Sequence, residues 1–378
     1  MFRGATLFCF REVNPPGEGK SFARGIPLRW REHPRRTAPR GEEDVIAVTI
    51  SDVAAHAGVS PATVSRVLSG SRPVRPEVAT RVRLAAAELG YTVDGIARAL
   101  RTRRTDTVGM VVPSILNPFF TTLVDSMENA LHAEGKQLFL CDSRHDPAVE
   151  AEHLRSLIDR HVDGIVVSPV HDTESVPAVA RSAAAVPLVQ LDRRVDVAGT
   201  DWIGLDDTAA MRLVLTHLAA TGARSIAFAT SELTNSSTSL RLQGFERWTR
   251  ELGLRVVADG VVLGDFSVDS GDRAGRRLLR SEDRPDAIVC ADDLIAIGVL
   301  RAAREAGVAV PHDLQVTGFD DIVFASYVTP ALTTLAQPTD RMAAEALRLL
   351  SLRGRATDPA GGARISFAPA LVARQSTR

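Results

Sequence analysis

Residues 49–70 read TISDVAAHAGVSPATVSRVLSG, and this pattern predicts two short helices joined by a tight turn. Thr49 is a good N-cap for the first helix, because its side-chain oxygen can accept a hydrogen bond from an unpaired backbone N–H. Gly58 stands where the chain must reverse, a position that glycine occupies at little steric cost. The apolar face of the first helix, with the spacing i, i+3, i+4, consists of Ile50, Val53 and Ala54. The stretch therefore begins like a helix-turn-helix.

The second helix of this stretch is predicted to begin with Ser60 as its cap. Pro61 follows in the first turn, where a missing N–H costs nothing. The inward positions of this helix are Val64, Val67 and Leu68. Its outward positions are Pro61, Ala62, Ser65 and Arg66. This small, polar and cationic face suits the major groove of DNA, so the stretch predicts a DNA-binding regulator.

Charge is distributed unevenly along the 378 residues, although the net charge is only −1. Residues 1–47 hold nine Lys/Arg and six Asp/Glu, and residues 48–107 hold nine and five. Residues 108–378 hold 27 and 35, so a basic front precedes an acidic body. We expect only the front to meet phosphates. The length and a hydrophobic content of 45% indicate more than one domain.

Several classes of protein are disfavoured by what the sequence lacks. Cys9, Cys141 and Cys290 are isolated, and no Cys/His cluster has zinc spacing. The dinucleotide-binding GxGxxG, the P-loop and the GxSxG nucleophile motif are also missing, so we expect no metal, no cofactor and no catalysis. The isolated cysteines predict a reduced compartment. No apolar run is long enough to cross a bilayer, and no secretory signal is present, so we expect a cytoplasmic protein without membrane contact.

The front of the chain divides into three predicted segments. Residues 1–47 are rich in Pro and Arg without periodicity, which predicts a disordered tail or an extension from a misplaced start; the alternative is a basic arm that adds non-specific DNA affinity. Residues 48–93 are predicted as a three-helix headpiece, with a third helix from about Pro76 to Leu89 that Gly90 ends. Residues 94–107 are predicted as a hinge helix and linker.

From Val108 the pattern changes to short apolar runs separated by helical segments of ten or more residues. These runs include VGMVVP, GIVVSPV and PLVQLD, and later SIAFAT, DAIVC and LQVTGF. Strands of this kind alternating with helices predict an α/β body of two doubly wound parallel sheets, divided near Gly204–Asp206.

An ordered set of motifs resembles the LacI/GalR family of transcriptional repressors. It begins with residues 48–70 and continues through IARAL in the hinge, NPFF at 117–120, LDRR at 191–194, RLQGF at 241–245, ADDLIAIGVL at 291–300 and VTGFDD at 316–321. The resemblance implies a headpiece, a hinge helix and a two-lobed core at 108–378 like periplasmic sugar-binding proteins. The first lobe would hold residues 108–204 and 338–361, and the second 205–337 and 362–378. It also implies a homodimer on a palindromic operator in double-stranded DNA.

Candidate DNA contacts come from the predicted recognition helix and, by the resemblance, from the hinge. Arg66 can bond guanine O6 and N7, whereas Pro61 and Ala62 offer only apolar contact. The hydroxyls of Thr49, Ser60, Thr63 and Ser65 can cap their helices or bond phosphates. In the hinge, the resemblance implies that Leu100 wedges into the minor groove, or else packs on the core, with contacts on either side from Ile96, Ala97 and Arg98.

Candidate effector-binding residues follow the predicted strands, where ligands of doubly wound sheets bind. Asp192, Asp292 and Asp320 each follow a strand, and Arg241 is expected to open a helix after the serine-rich loop NSSTS. By the resemblance, Phe119, Phe120, Phe266 and Gln337 also occupy ligand-contacting positions. Carboxylates, arginine and aromatic faces together suit a sugar. Helix capping, salt bridges and core packing are the alternatives for these residues.

The expected function is therefore a ligand-controlled repressor with a sugar as the small-molecule effector. Within regulators, the alternatives are a purine-type corepressor protein and a global regulator whose effector is a partner protein. Outside them, a sugar-binding receptor for transport would explain the body but would leave the headpiece without a role.

Overall fold

A computed structural model of the protein describes residues 48–69, 72–91, 104–353 and 361–378. The chain separates into two compact units at residue 92, which we call the headpiece and the core. The predicted tail and the predicted hinge contacts lie outside the described residues; these contacts are Ile96, Ala97, Arg98 and Leu100. No described helix is both long enough and apolar enough to span a membrane.

The headpiece consists of three helices: α1 (Ile50–Ala57), α2 (Pro61–Ser69) and α3 (Pro76–Glu88). A capping box confirms the predicted start of α1, since the Thr49 side chain accepts from the Asp52 N–H while the Asp52 carboxylate accepts from the Thr49 N–H. Gly58 has a φ of +63°, as the predicted reversal requires. The three helices enclose a small core of Val53, Ala54, Ala57, Val64, Val67, Val82, Ala85 and Ala86.

The first lobe of the core is built on a six-stranded parallel sheet with the order β11-β5-β4-β3-β1-β2. The strands are β1 (Thr107–Val112), β2 (Gln137–Asp142), β3 (Gly164–Val167), β4 (Leu188–Leu191), β5 (Asp201–Leu205) and β11 (Arg364–Phe367). The helices are α4 (Pro118–Ala133), α5 (Pro147–Asp159), α6 (Val176–Ala185) and α11 (Thr339–Arg353).

Both faces of this sheet are covered, as its continuous apolar strands predict. Val108, Met110 and Val112 of β1 contribute to one cluster with α4 and α11, whereas Val111 contributes to another with α5 and α6. At Gly109 an added Cβ would lie 2.6 Å from Leu157, so glycine lets α5 approach the strand closely.

The second lobe is built on a four-stranded parallel sheet with the order β7-β6-β8-β9. Its strands are β6 (Ser225–Ser231), β7 (Arg255–Gly264), β8 (Ala287–Cys290) and β9 (Gln315–Thr317), and β10 (Thr334–Ala336) pairs separately with β12 (Ala370–Val372). Its helices are α7 (Asp207–Ala220), α8 (Ser236–Glu251), α9 (Val268–Arg280) and α10 (Asp293–Glu305). The α/β class and the two parallel sheets are as predicted.

One predicted boundary is wrong. The resemblance places residues 362–378 in the second lobe. In the structure, β11 pairs in parallel with β5 of the first sheet, with Arg364 opposite Trp202 and Phe367 opposite Leu205. The last crossing between the lobes therefore follows Phe367. A short strand that completes the edge of a distant sheet leaves little trace in local sequence, because its partner is about 160 residues away.

Candidate functional site

A small cavity of about 20 Å³, here called the inner cavity, lies between the two lobes of the core. Each lobe provides half of its lining. The residues from the first lobe are Asn117, Phe119, Phe120, Asp192 and Arg193, and those from the second are Ser237, Arg241, Phe266, Asp292 and Asp320. Seven of the eight predicted effector-binding residues therefore converge on one place.

Asp292 joins the lobes across this cavity. Its Oδ1 accepts the N–H of Ile295 at 2.8 Å and so caps α10, while its Oδ2 accepts from the Asn117 side chain at 3.3 Å. Asn117 in turn caps α4 by accepting the Phe119 N–H at 3.0 Å. Asp292 therefore caps a helix and also lines the cavity.

Asp192 occupies a sharp turn directly after β4. Its φ is +64°, a left-handed conformation that Asp tolerates better than most residues. The Trp202 indole N–H donates to the Asp192 carbonyl at 3.1 Å, and an added Cβ at Gly204 would lie 2.3 Å from the Trp202 ring. Glycine at 204 therefore makes room for the indole that holds this turn.

Arg241 is placed in the cavity wall, but not where the sequence predicted it along its helix. Helix α8 begins at Ser236 with Asn235 as its cap, so the serine-rich segment is the first turn of the helix and Arg241 lies in the second. Its Nε donates to Asp207 Oδ1 at 2.8 Å and its Nη1 to the Ala291 carbonyl at 2.6 Å. Hydrogen-bonding serines at a helix start are easily mistaken for a loop.

Gln337 is the predicted residue that does not line the inner cavity. Its side-chain amide donates to Asp320 Oδ1 at 2.8 Å, so it holds a residue that does. Asp320 has a φ of +103° and follows β9, at the carboxyl edge of the second sheet. Gln337 acts on the cavity through Asp320.

Phe119, Phe120 and Phe266 pack against the lobe cores and also line the inner cavity. Phe119 and Phe120 are 4% and 2% exposed, belong to the first-lobe core and still present atoms to the inner cavity. Their ring centroids are 5.0 Å apart in an edge-to-face arrangement. Phe266 is partly buried against the second-lobe core.

Asp192, Asp207 and Asp292 are buried around the inner cavity, and Asp320 is half-buried. Burial raises the pKa of Asp292 to about 6 and that of Asp320 to about 7, and it also raises the pKa of Asp192. Burial raises the pKa of Asp207 to about 6 as well, although its ion pair with Arg241 opposes this. For Arg241, burial is outweighed by the surrounding carboxylates, and its pKa is raised. The site therefore concentrates acceptors around one firmly charged guanidinium.

Sequence reasoning missed three lining residues, Asn117, Arg193 and Ser237. Asn117 and Arg193 lie within the motifs NPFF and LDRR, and Ser237 lies in the serine-rich segment before Arg241. The only indication in the sequence that these three residues line the site is that they lie close to predicted site residues.

A larger cavity of about 540 Å³, here called the outer chamber, adjoins the inner cavity. Arg193 and Phe266 line both spaces. The remaining walls of the outer chamber include His145 and His171 of the first lobe and Glu232, Asp265 and Arg273 of the second.

On the headpiece, the predicted DNA-facing side chains differ in how free they are. Pro61, Ala62 and Arg66 are exposed on α2. The Thr49 hydroxyl donates to Asp52 Oδ2 at 2.7 Å, and the hydroxyls of Ser60 and Thr63 bond each other at 2.9 Å. The capping role therefore holds for Thr49 and Ser60, and Ser65 is partly buried.

Two family profiles match the chain. The profile of bacterial regulatory proteins of the lacI family matches residues 49–94, and that of the periplasmic binding protein-like domain matches residues 215–377. The first match falls on the headpiece. The second covers most of the second lobe and continues through α11 and β11 of the first lobe to the end of the core.

Relatives and solved structures extend the similarity over most of the chain. The HTH-type transcriptional repressor PurR of Mannheimia succiniciproducens is 33% identical over 330 residues, covering 87% of this chain and 98% of that protein. The Lac repressor dimer bound to operator and the anti-inducer ONPF matches with a TM-score of 0.77 at 27% identity, covering 87% and 98% of the two chains. The complex of the transcriptional regulator CelR with cellobiose matches with a TM-score of 0.66 at 32% identity, covering 87% and 99%. The chain therefore belongs to the LacI family of bacterial regulatory proteins.

Proposed function

We propose that this repressor binds its operator as a homodimer in the cytoplasm through the exposed face of α2, and that a sugar bound between the core lobes controls it. As a member of the LacI family it is a DNA-binding transcriptional repressor and not an enzyme. The convergence of Asp192, Asp292, Asp320 and Arg241 on the inner cavity is the observation that carries the assignment of the effector.

A sugar suits this cavity because its surface alternates between hydroxyls and apolar C–H faces. The three carboxylates can accept hydrogen bonds from hydroxyls, and the arginines can donate to hydroxyl oxygens. Phe120 and Phe266 supply ring faces for the C–H surface of a pyranose or furanose. CelR, with which this chain shares 32% identity, has been solved with cellobiose.

A purine is the second candidate effector. Phe120 and Phe266 both lie against the Arg193 guanidinium, at 5.5 and 5.3 Å from its central carbon. The planar guanidinium of Arg193 thus contacts both rings, and a planar base could make the same contacts. The transcriptional repressor of Mannheimia succiniciproducens, which is 33% identical to this chain, carries the name PurR.

Control of DNA binding would follow from lobe closure. The Asp172 N–H donates to the Thr234 carbonyl at 2.8 Å, and the Arg194 N–H donates to Ser236 Oγ at 2.9 Å, in both cases from the first lobe to the second. An effector that binds one arrangement of the lobes better than another shifts their equilibrium. Operator affinity then changes by the same coupling free energy.

The test is a titration of effectors against operator binding. Operator fragments are selected in vitro with the full-length protein, and their affinity is measured by fluorescence anisotropy with cellobiose, ribose, other sugars and free purine bases. We expect a sugar to change operator affinity by about 5- to 150-fold, with Asp292→Asn abolishing the response and Asp196→Asn, at an exposed position, retaining it. A response to a purine base with none to any sugar would replace the sugar by the second candidate.

A further inference from the structure

Arg193 is a buried cation whose ion pair, to Asp192, is long. Its side chain is 6% exposed, yet among the described residues its guanidinium N–H groups donate no hydrogen bond. Its closest carboxylate contact is Asp192 Oδ2, 3.9 Å from Nε. Guanidinium carries five N–H donors. None of the Arg193 nitrogens is among the fully buried polar atoms that lack a partner in the described residues, and the side chain lines both the inner cavity and the outer chamber.

What Arg193 does contact is one aromatic ring from each lobe. Its Cζ lies 5.5 Å from the ring centroid of Phe120 in the first lobe and 5.3 Å from that of Phe266 in the second. Both distances are within the range of cation–π attraction. The side chain therefore bridges the lobes through ring contacts, while Asp320 and Asp292 of the second lobe attract its charge and Arg241 repels it.

The backbone of the first lobe fixes the position from which the Arg193 side chain extends. Asp192, at φ +64°, is held by the Trp202 indole, and the Arg193 N–H donates to the Leu191 carbonyl at 2.8 Å. Arg193 thus starts from a rigid turn of the first lobe and contacts the Phe266 ring of the second lobe.

The volumes on either side show what this side chain excludes. With Arg193 in place the inner cavity measures about 20 Å³, which is room for a water molecule but far too little for a sugar ring. The outer chamber on the other side of the Arg193–Phe266 contact measures about 540 Å³ and has the carboxylates Glu232 and Asp265 in its wall. A guanidinium leaving the inner cavity has space there, and Glu232 has no ion pair among the described residues, whereas Asp265 is already paired with Arg273 at 3.5 Å.

We propose that Arg193 is an internal substitute for the effector, which occupies the slot between Phe120 and Phe266 and holds the lobes together until an effector takes its place. The effector's apolar face enters the slot between the rings, and Arg193 moves toward the outer chamber. Arg193 is thus a positioning residue that sets how tightly the unliganded cleft is closed. The inference rests on the proposed function only in taking this cleft as the effector site.

The experiment measures lobe separation in the full-length protein without effector or DNA. Spin labels at Glu152 on α5 and Gln243 on α8, both exposed, report the distance by double electron–electron resonance. Cys9 and Cys141 are replaced by Ser, whereas Cys290 is 0% exposed and stays. Because no effector is added, failure of this inference leaves the proposed function standing.

We expect one short distance in the parent protein and a shift of the closed-to-open ratio by about tenfold toward open in Arg193→Ala. Arg193→Lys keeps the charge without the planar group and should fall between them. Arg341→Ala is the matched control, since its guanidinium lies 4.8 Å from the Phe367 ring of its own lobe, away from the Asp192 turn. An open parent protein, or Arg193→Ala with the parent's distance distribution, would overturn the proposal.

Discussion

At the scale of single residues, the inner cavity contains carboxyl groups whose pKa is raised by burial. Asp320 shows this most strongly, because burial raises its pKa to about 7, and the neighbouring Asp292 adds to the rise while Arg241 opposes it. A carboxyl whose pKa is higher in the folded protein binds its proton more tightly there than in the unfolded chain. The stability that it contributes is therefore lost as the pH rises from about 4 through 7.

Asp320→Asn should remove this pH dependence. Its amide oxygen can still accept from Gln337, which donates to Asp320 at 2.8 Å. We expect the variant's advantage over the parent in free energy of unfolding to be on the order of 1–2 kcal/mol larger at pH 8 than at pH 5. Urea denaturation at both pH values measures this difference. Asp196→Asn, at an exposed carboxylate, serves as the control. A gain that is equal at both pH values would contradict the assigned pKa.

At the scale of elements, α2 is capped at its start, packs one face into the headpiece core and leaves the other exposed. The Thr63 N–H donates to Ser60 Oγ at 3.2 Å, and the Val64 N–H donates to the Ser60 carbonyl at 3.1 Å. These bonds satisfy donors at the helix start, and Val64 is turned into the headpiece core at 0% exposure. Pro61, Ala62 and Arg66 remain exposed on the helix.

Arg66→Ala tests whether this face reads bases. Loss of a bidentate contact to guanine should weaken binding to the selected operator by about 1–3 kcal/mol, and binding to a scrambled fragment much less. Arg83→Ala removes an equal charge from an exposed position on α3 and is the control. Fluorescence anisotropy at two salt concentrations separates the effects, and equal losses on both DNAs would assign Arg66 to phosphate contact only.

At the scale of the whole molecule, the headpiece and the core are separate compact units. An effector that binds the folded core stabilises it by about 2.7 kcal/mol at a concentration of 100 Kd. Differential scanning calorimetry should therefore show the core transition rising by several degrees, while the headpiece transition stays in place when DNA is absent. A headpiece transition that rises equally would show that the two units unfold together.

The parts of this molecule that sequence predicted are those encoded locally. Helix α1 follows from its capping residue, its apolar spacing and its glycine, all within ten residues. Asp192, Asp292 and Asp320 were found because polar residues that end parallel strands meet at one edge of a sheet. Strand β11 and the bridging role of Arg193 depend on partners from distant parts of the chain, so local patterns do not contain them.

The tryptophan that holds the turn of Asp192 gives this protein an optical reporter of its own. Trp202 is 7% exposed, donates to the Asp192 carbonyl at 3.1 Å and has the Arg194 guanidinium 4.8 Å from its ring. Its emission depends on the same turn that carries Arg193 into the cleft. With Trp30 and Trp248 replaced by Phe, stopped-flow fluorescence of Trp202 would follow effector entry in real time without any attached dye.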